Sequence, residues 1–201
     1  MDKACLLLLL ALTLSGTATQ TSQSQGARSR EQSSFSMETE MVPIEKPVSL
    51  PEGALRVLEK DAGVASCMQN ETVSPGQLPS SWFVGSQIHL DGPDETDLIV
   101  LPGPLEAPQP MHPAPNACFF GAYTAKFWVL RLTGEGYKLV LKVDAHGLGV
   151  LKTKRNGYRD IETTVSSLNG STTTLFRFNG QRYVSSKTPG RTERSARERV
   201  R

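Results

Sequence analysis

His89, His112 and His146 are the histidines of this chain, and imidazole is the one side chain that titrates near neutrality without help from its surroundings. Asp144-Ala145-His146 sets a carboxylate and an imidazole two residues apart. On a strand that spacing points both side chains the same way, which suits an acid–base pair or a weak metal site. A solvated turn pair asks for no further partner and is the favoured reading. A nucleophilic hydrolase needs a serine or cysteine beside a base and an orienting acid, and the chain has no Gly-x-Ser-x-Gly elbow. It also has no glycine-rich, phosphate-cradling loop ahead of a helix. The expectation is therefore a protein that is not an enzyme and carries no cofactor. The alternative is a secreted hydrolase using His146 or His89 with carboxylates that the fold assembles.

Cys67 and Cys118 fall outside any Cys-x-x-Cys or Cys/His pair, so zinc is disfavoured and a single disulfide is expected in an exported chain. Two free buried thiols are the other reading. Trp82, Phe120, Tyr123 and Trp128 fall near that bridge and near a long proline-rich stretch. They are candidates for a groove that takes a sugar or peptide, although aromatic residues of this kind mostly build cores.

These residues need elements to position them and an address. The opening MDKACLLLLLALTLSGTATQ has a lysine, an apolar run from Ala4 to Leu14 and then small residues. That order predicts a signal peptide over 1–18. The run falls short of the ~20 apolar residues that a membrane span requires, so no transmembrane segment is expected after cleavage. A secreted or periplasmic protein follows. Residues 19–43 are rich in Ser, Gln and Thr and predict a disordered linker. Residues 187–201 carry five arginines and two glutamates with no interleaved aromatic residue, which predicts a basic disordered tail and argues against nucleic acid as partner. The net charge of +2 names no polyanionic ligand.

Between these lies a globular domain, 44–186. A helix is predicted from Pro51 or Glu52, where proline suits a first turn, with Leu55, Val57, Leu58 and Val64 on a loosely amphipathic face. Strands are predicted at Trp82–Leu90, Thr96–Leu101, Ala125–Leu132, Tyr137–Val143, Val150–Thr153, Arg159–Ser166, Thr173–Phe178 and Gln181–Val184. Asn156-Gly157 and Asn179-Gly180 are hairpin signals, since both residue types accept positive φ. Pro102–Asn116 is proline-rich and must be an irregular loop.

A repeat runs through these strands. Leu130-x-Leu132, four turn residues and Tyr137 match Phe176-x-Phe178, four turn residues and Tyr183, while Thr96-Asp97-Leu98-Ile99 matches Arg159-Asp160-Ile161-Glu162. The expected fold is mainly β (α+β): an antiparallel meander of about seven or eight strands in two related β units, with one N-terminal helix packed on it.

At Asp91–Leu98 (DGPDETDL) and Asn156–Ile161 (NGYRDI) the chain resembles the repeats of FG-GAP/VCBS-type β-propeller proteins, whose turns read Asp-x-Asp-Gly-Asp-Gly-x-x-Asp-Leu. Val150–Tyr183 is also similar to a set of small secreted bacterial proteins without an established activity, in which a GYRDI-like turn precedes a YRFDGxxY-like hairpin. The resemblance covers about residues 82–184. It implies a β-repeat fold and, at the acidic turn, calcium held by Asp91, Asp94 and Asp97 in an oxygen-rich shell. Pro93 stands where the family has an aspartate, and the second turn keeps only Asn156 and Asp160. The expectation is that Asp97 and Asp160 close their turns by accepting backbone hydrogen bonds, with no metal; a calcium-stabilised structural module is the second alternative. Two units are also too few for a closed propeller. The function expected is an exported, non-catalytic binding or accessory domain, monomeric, acting on an unknown envelope protein or polysaccharide.

Overall fold

The computed structural model of the chain describes residues 31–37, 42–92, 96–103, 115–167 and 170–186. The expected signal peptide, most of the linker, the basic tail, His112, Asp94 and most of the proline-rich stretch lie outside these residues. Strands dominate. In chain order the elements are β1 (Ser34–Ser36), α1 (Glu52–Glu59), α2 (Ala62–Asn70), β2 (Phe83–Ile88), β3 (Asp97–Pro102), β4 (Ala125–Thr133), β5 (Gly136–Ala145), β6 (Gly147–Arg155), β7 (Tyr158–Ser167), β8 (Gly170–Phe178) and β9 (Tyr183–Ser186). Two antiparallel sheets result, β2-β3-β4-β5 and β1-β6-β7-β8-β9.

The sequence repeat is realised as two four-stranded meanders, β2–β5 and β6–β9, in the same register. Leu98 pairs with Leu130 as Ile161 pairs with Phe176, and Leu132 pairs with Tyr137 as Phe178 pairs with Tyr183. The faces are used in succession. Leu98, Val100, Trp128 and Leu130 enter a core beneath the helices with Leu58, Val64 and Met68, whereas Ile99, Leu101, Phe127 and Val129 enter the core between the sheets. Ile161, the counterpart of Leu98, lies in that same inter-sheet core with Phe178 and Tyr183. The helices thus cover one face of the first meander, and the second meander covers its other face. Strict alternation along β3 and β4 makes this possible, because each strand is apolar on both sides.

A single residue, His146, separates β5 from β6, so the chain passes there directly from one sheet into the other. At Asn156-Gly157 both residues have positive φ, 53° and 83°, which is the hairpin turn that the pair predicts. At the second Asn-Gly the mechanism differs: Asn179 Oδ1 accepts from the backbone N–H groups of Gln181 and Arg182, and Gly180 alone takes positive φ.

Two expectations are corrected and one is borne out. There are nine strands among the described residues, because residues 34–36 of the expected linker pair with β6 as β1. Phe35 is the main reason: it is 1% exposed in the inter-sheet core, and burying such a ring contributes about 1.5–3 kcal/mol, to which the backbone pairing with β6 adds. The helix is two helices, because Asp61 leaves the helical conformation (ψ 128°) and its side chain accepts from Gly63 and Val64 N–H as the N-cap of α2. The other carboxylate oxygen of Asp61 accepts from Lys142 Nζ at 2.7 Å, fastening the helix pair to β5. Cys67 and Cys118 form the expected disulfide, with Cα atoms 6.1 Å apart.

Arg159 ties the two meanders together. Its side chain donates to the carbonyls of Val150 and Leu151 and to Glu31 Oε1 at 2.6 Å, and Glu31 Oε2 accepts from His89 N–H beyond the end of β2. The Arg159 N–H donates to the Leu90 carbonyl, and its own carbonyl accepts from the Tyr183 hydroxyl at 2.7 Å.

Candidate functional site

β5 and β9 are each the last strand of a meander, so each is the edge of its sheet. The packing of the two sheets sets these edges against one another across a cleft of about 470 Å³. Leu139–Lys142 of β5 and Arg182–Ser185 of β9 line it together with Phe176. Among the described residues no backbone hydrogen bond joins the two strands. Val140, Leu141 and Tyr183 are buried, while Val184 is 38% exposed. Burial, reinforced by the charges of Asp97 and Asp160, holds the Tyr183 phenol well above its ordinary pKa, so it is a neutral donor at any physiological pH. The lining carries two cations, Lys142 and Arg182, and no carboxylate. Lys142 is held by Asp61, whose side chain is 4% exposed. The turn at Asn179 fixes the backbone of Arg182.

The residues singled out from sequence go elsewhere. Trp82 and Trp128 are 4% and 0% exposed and belong to the helix-side core, where both rings meet Phe119 edge-on. Phe120 packs partly buried against the other core, and Tyr123 is 64% exposed. The four form no common groove. The physical reason is the disulfide: it draws Cys118 to α2 and so places Phe119 between those tryptophans.

Asp97 is fully buried at the start of β3, and its oxygens accept from Leu90 N–H (3.0 Å) and Leu132 N–H (2.9 Å). Burial pushes its carboxyl up to about 6, against the opposing pull of those two bonds. Asp91 accepts from Gly92 N–H. Among the described residues no group of three His, Cys, Asp or Glu side chains could hold a metal ion; Asp94 is not among them. Asp160 accepts from the Thr153 hydroxyl.

No family model, curated protein or solved structure matches this chain. The site therefore has to be read from its own chemistry. Asp144 pairs with Lys126 Nζ at 2.6 Å, and His146 Nδ1 is buried with no hydrogen-bond partner among the described residues. The two are not joined as an acid–base pair. The backbone N–H of His89 donates to Glu31. No described helix is long and apolar enough to cross a membrane.

Sequence reasoning singled out the cleft residues only through the repeat, which names Phe176 and Tyr183. The available signal was topological: in two successive meanders the fourth strands are edges. Their mutual approach depends on how the sheets pack, which no local pattern encodes.

Proposed function

We propose that this protein is an exported, non-catalytic binding domain that acts at or outside the cell envelope, as a monomer, and that the β5–β9 cleft is its binding surface. One observation carries the reading: two sheet edges, unpaired among the described residues, border an open cleft with a buried apolar base and an exposed arginine, Arg182. Exposed sheet edges are templates for another chain unless something blunts them. The leader-like N-terminus and the disulfide support an oxidising destination.

The test is co-sedimentation of the purified protein with its host's envelope, comparing the wild type with Val184→Glu. Val184 is partly exposed in the cleft, so the change should leave the fold intact and weaken binding about tenfold or more, by placing a charge where apolar contact is made. Equal sedimentation of the two proteins would remove the cleft from consideration. Absence of any sedimentation would remove the envelope.

A further inference from the structure

Resting on the cleft as binding surface, we propose that its occupant is an extended polypeptide segment carrying apolar residues and carboxylates, which adds as a strand to the β5 or β9 edge. Edge strands of antiparallel sheets present alternating N–H and C=O groups at the strand repeat, and another extended chain meets such a row group for group. β5 pairs with β4 and β9 with β8, and among the described residues neither has a second backbone neighbour.

The side chains narrow the class. A sugar ligand calls for exposed aromatic faces, yet Trp82 and Trp128 are in the core, the ring of Tyr183 is buried with its hydroxyl already bonded to the Arg159 carbonyl, and Phe176, the other aromatic residue of the lining, packs against the inter-sheet core. The lining offers instead the apolar Leu139 and Val184 and the cation Arg182. The exposed side chain of Arg182 has no partner among the described residues, whereas Lys142 is already neutralised by Asp61. A planar guanidinium with free donors is matched by a carboxylate. A lipid surface fits less well, because a cleft between two strands gives a membrane no flat apolar face to meet.

The test uses two synthetic peptides, acetyl-Val-Glu-Val-Glu-Val-Glu-Val-amide and its Glu→Lys counterpart, with binding followed by fluorescence anisotropy and by amide hydrogen exchange. The acidic peptide should bind the purified wild-type protein and slow exchange in Leu139–Lys142 or Tyr183–Ser186. Arg182→Glu should weaken that binding by about tenfold and transfer the preference to the lysine peptide, a reversal that general destabilisation cannot produce. Equal binding of both peptides, or binding that leaves both edges unprotected, would overturn the proposal. If neither peptide binds while Val184→Glu still abolishes envelope sedimentation, the cleft stands and the polypeptide occupant falls. If the edge amides become protected with rising protein concentration alone and sedimentation velocity shows a dimer, the occupant is a second copy and the acidic segment is refuted.

Discussion

Asp97 and Asp160 hold the same position in two successive β-meanders, one residue before Leu98↔Leu130 and Ile161↔Phe176, and their carboxylates meet different partners. Asp97 closes its corner through two backbone N–H groups, at Leu90 and Leu132. Asp160 takes the hydroxyl of Thr153 on one oxygen, and its Oδ1 is buried with no partner among the described residues. The first copy is covered on both faces, by the helices and by the second meander, and burial there drives the Asp97 carboxyl up to about 6.

That shift sets a pH dependence. A folded-state value of about 6 exceeds the ordinary 3.8, so the folded protein binds the proton more tightly than the unfolded chain. The associated stability is fully present below about pH 4 and is lost as pH rises through 6. Asp97→Asn cannot titrate and accepts only one of the two N–H bonds, which costs about 1–3 kcal/mol. Melting temperatures measured from about pH 4 to pH 7 should show the wild-type advantage shrinking as pH rises; a constant difference would mean that the carboxyl titrates normally.

Asp61 joins two tasks, capping α2 and holding Lys142. Asp61→Ala should destabilise the protein by about 1–2 kcal/mol in urea unfolding, chiefly through the lost cap. Lys142→Ala should cost less, since the lysine side chain is 40% exposed and such pairs couple weakly, by about 1 kcal/mol or less. A lysine variant as damaging as the aspartate variant would reverse that ranking.

The disulfide spans 51 residues, and cross-linking a loop of that size contributes about 4 kcal/mol in the chain-entropy account. Cys67→Ser with Cys118→Ser should lower the urea midpoint accordingly. Thiol titration of the denatured, non-reduced protein should find neither cysteine free, and mass spectrometry showing both alkylated would contradict the bridge.

Arg159 satisfies carbonyls on β6 and reaches Glu31. Arg159→Met keeps much of the bulk but leaves those acceptors unpaired, for a loss of about 2–4 kcal/mol. Glu31→Gln should cost less, because the single amide oxygen still accepts from the guanidinium and only the bond from His89 N–H is lost. Thermal unfolding of the two variants gives the comparison, and equal losses would show that the charge of Glu31, not the carbonyl network, holds the seam.

Much of the fold is written locally. Alternation places the strands from β2 to β9 to within a few residues, Asn156-Gly157 fixes its hairpin through the φ that these residue types tolerate, and the Leu130/Phe176 repeat specifies two meanders with matched registers. The break at Asp61 was not legible, because the apolar pattern runs on across it from Leu58 to Val64, and it is the bonds from Gly63 and Val64 N–H to its side chain that start the second helix. Nor was β1, because a lone Phe35 among polar residues carries no period and is ordered only by the core it enters.

By itself, then, the sequence determined the strands, their turns and the duplication, which depend on backbone preferences and on neighbours a few residues away. Only the tertiary structure decided that Trp82 and Trp128 are core, that the candidate histidine and aspartate are not paired, and that β5 and β9 face one another. Those outcomes follow from which face of one sheet packs on which face of the next, a choice made by residues more than 40 positions apart that share one core, such as Leu141 and Tyr183.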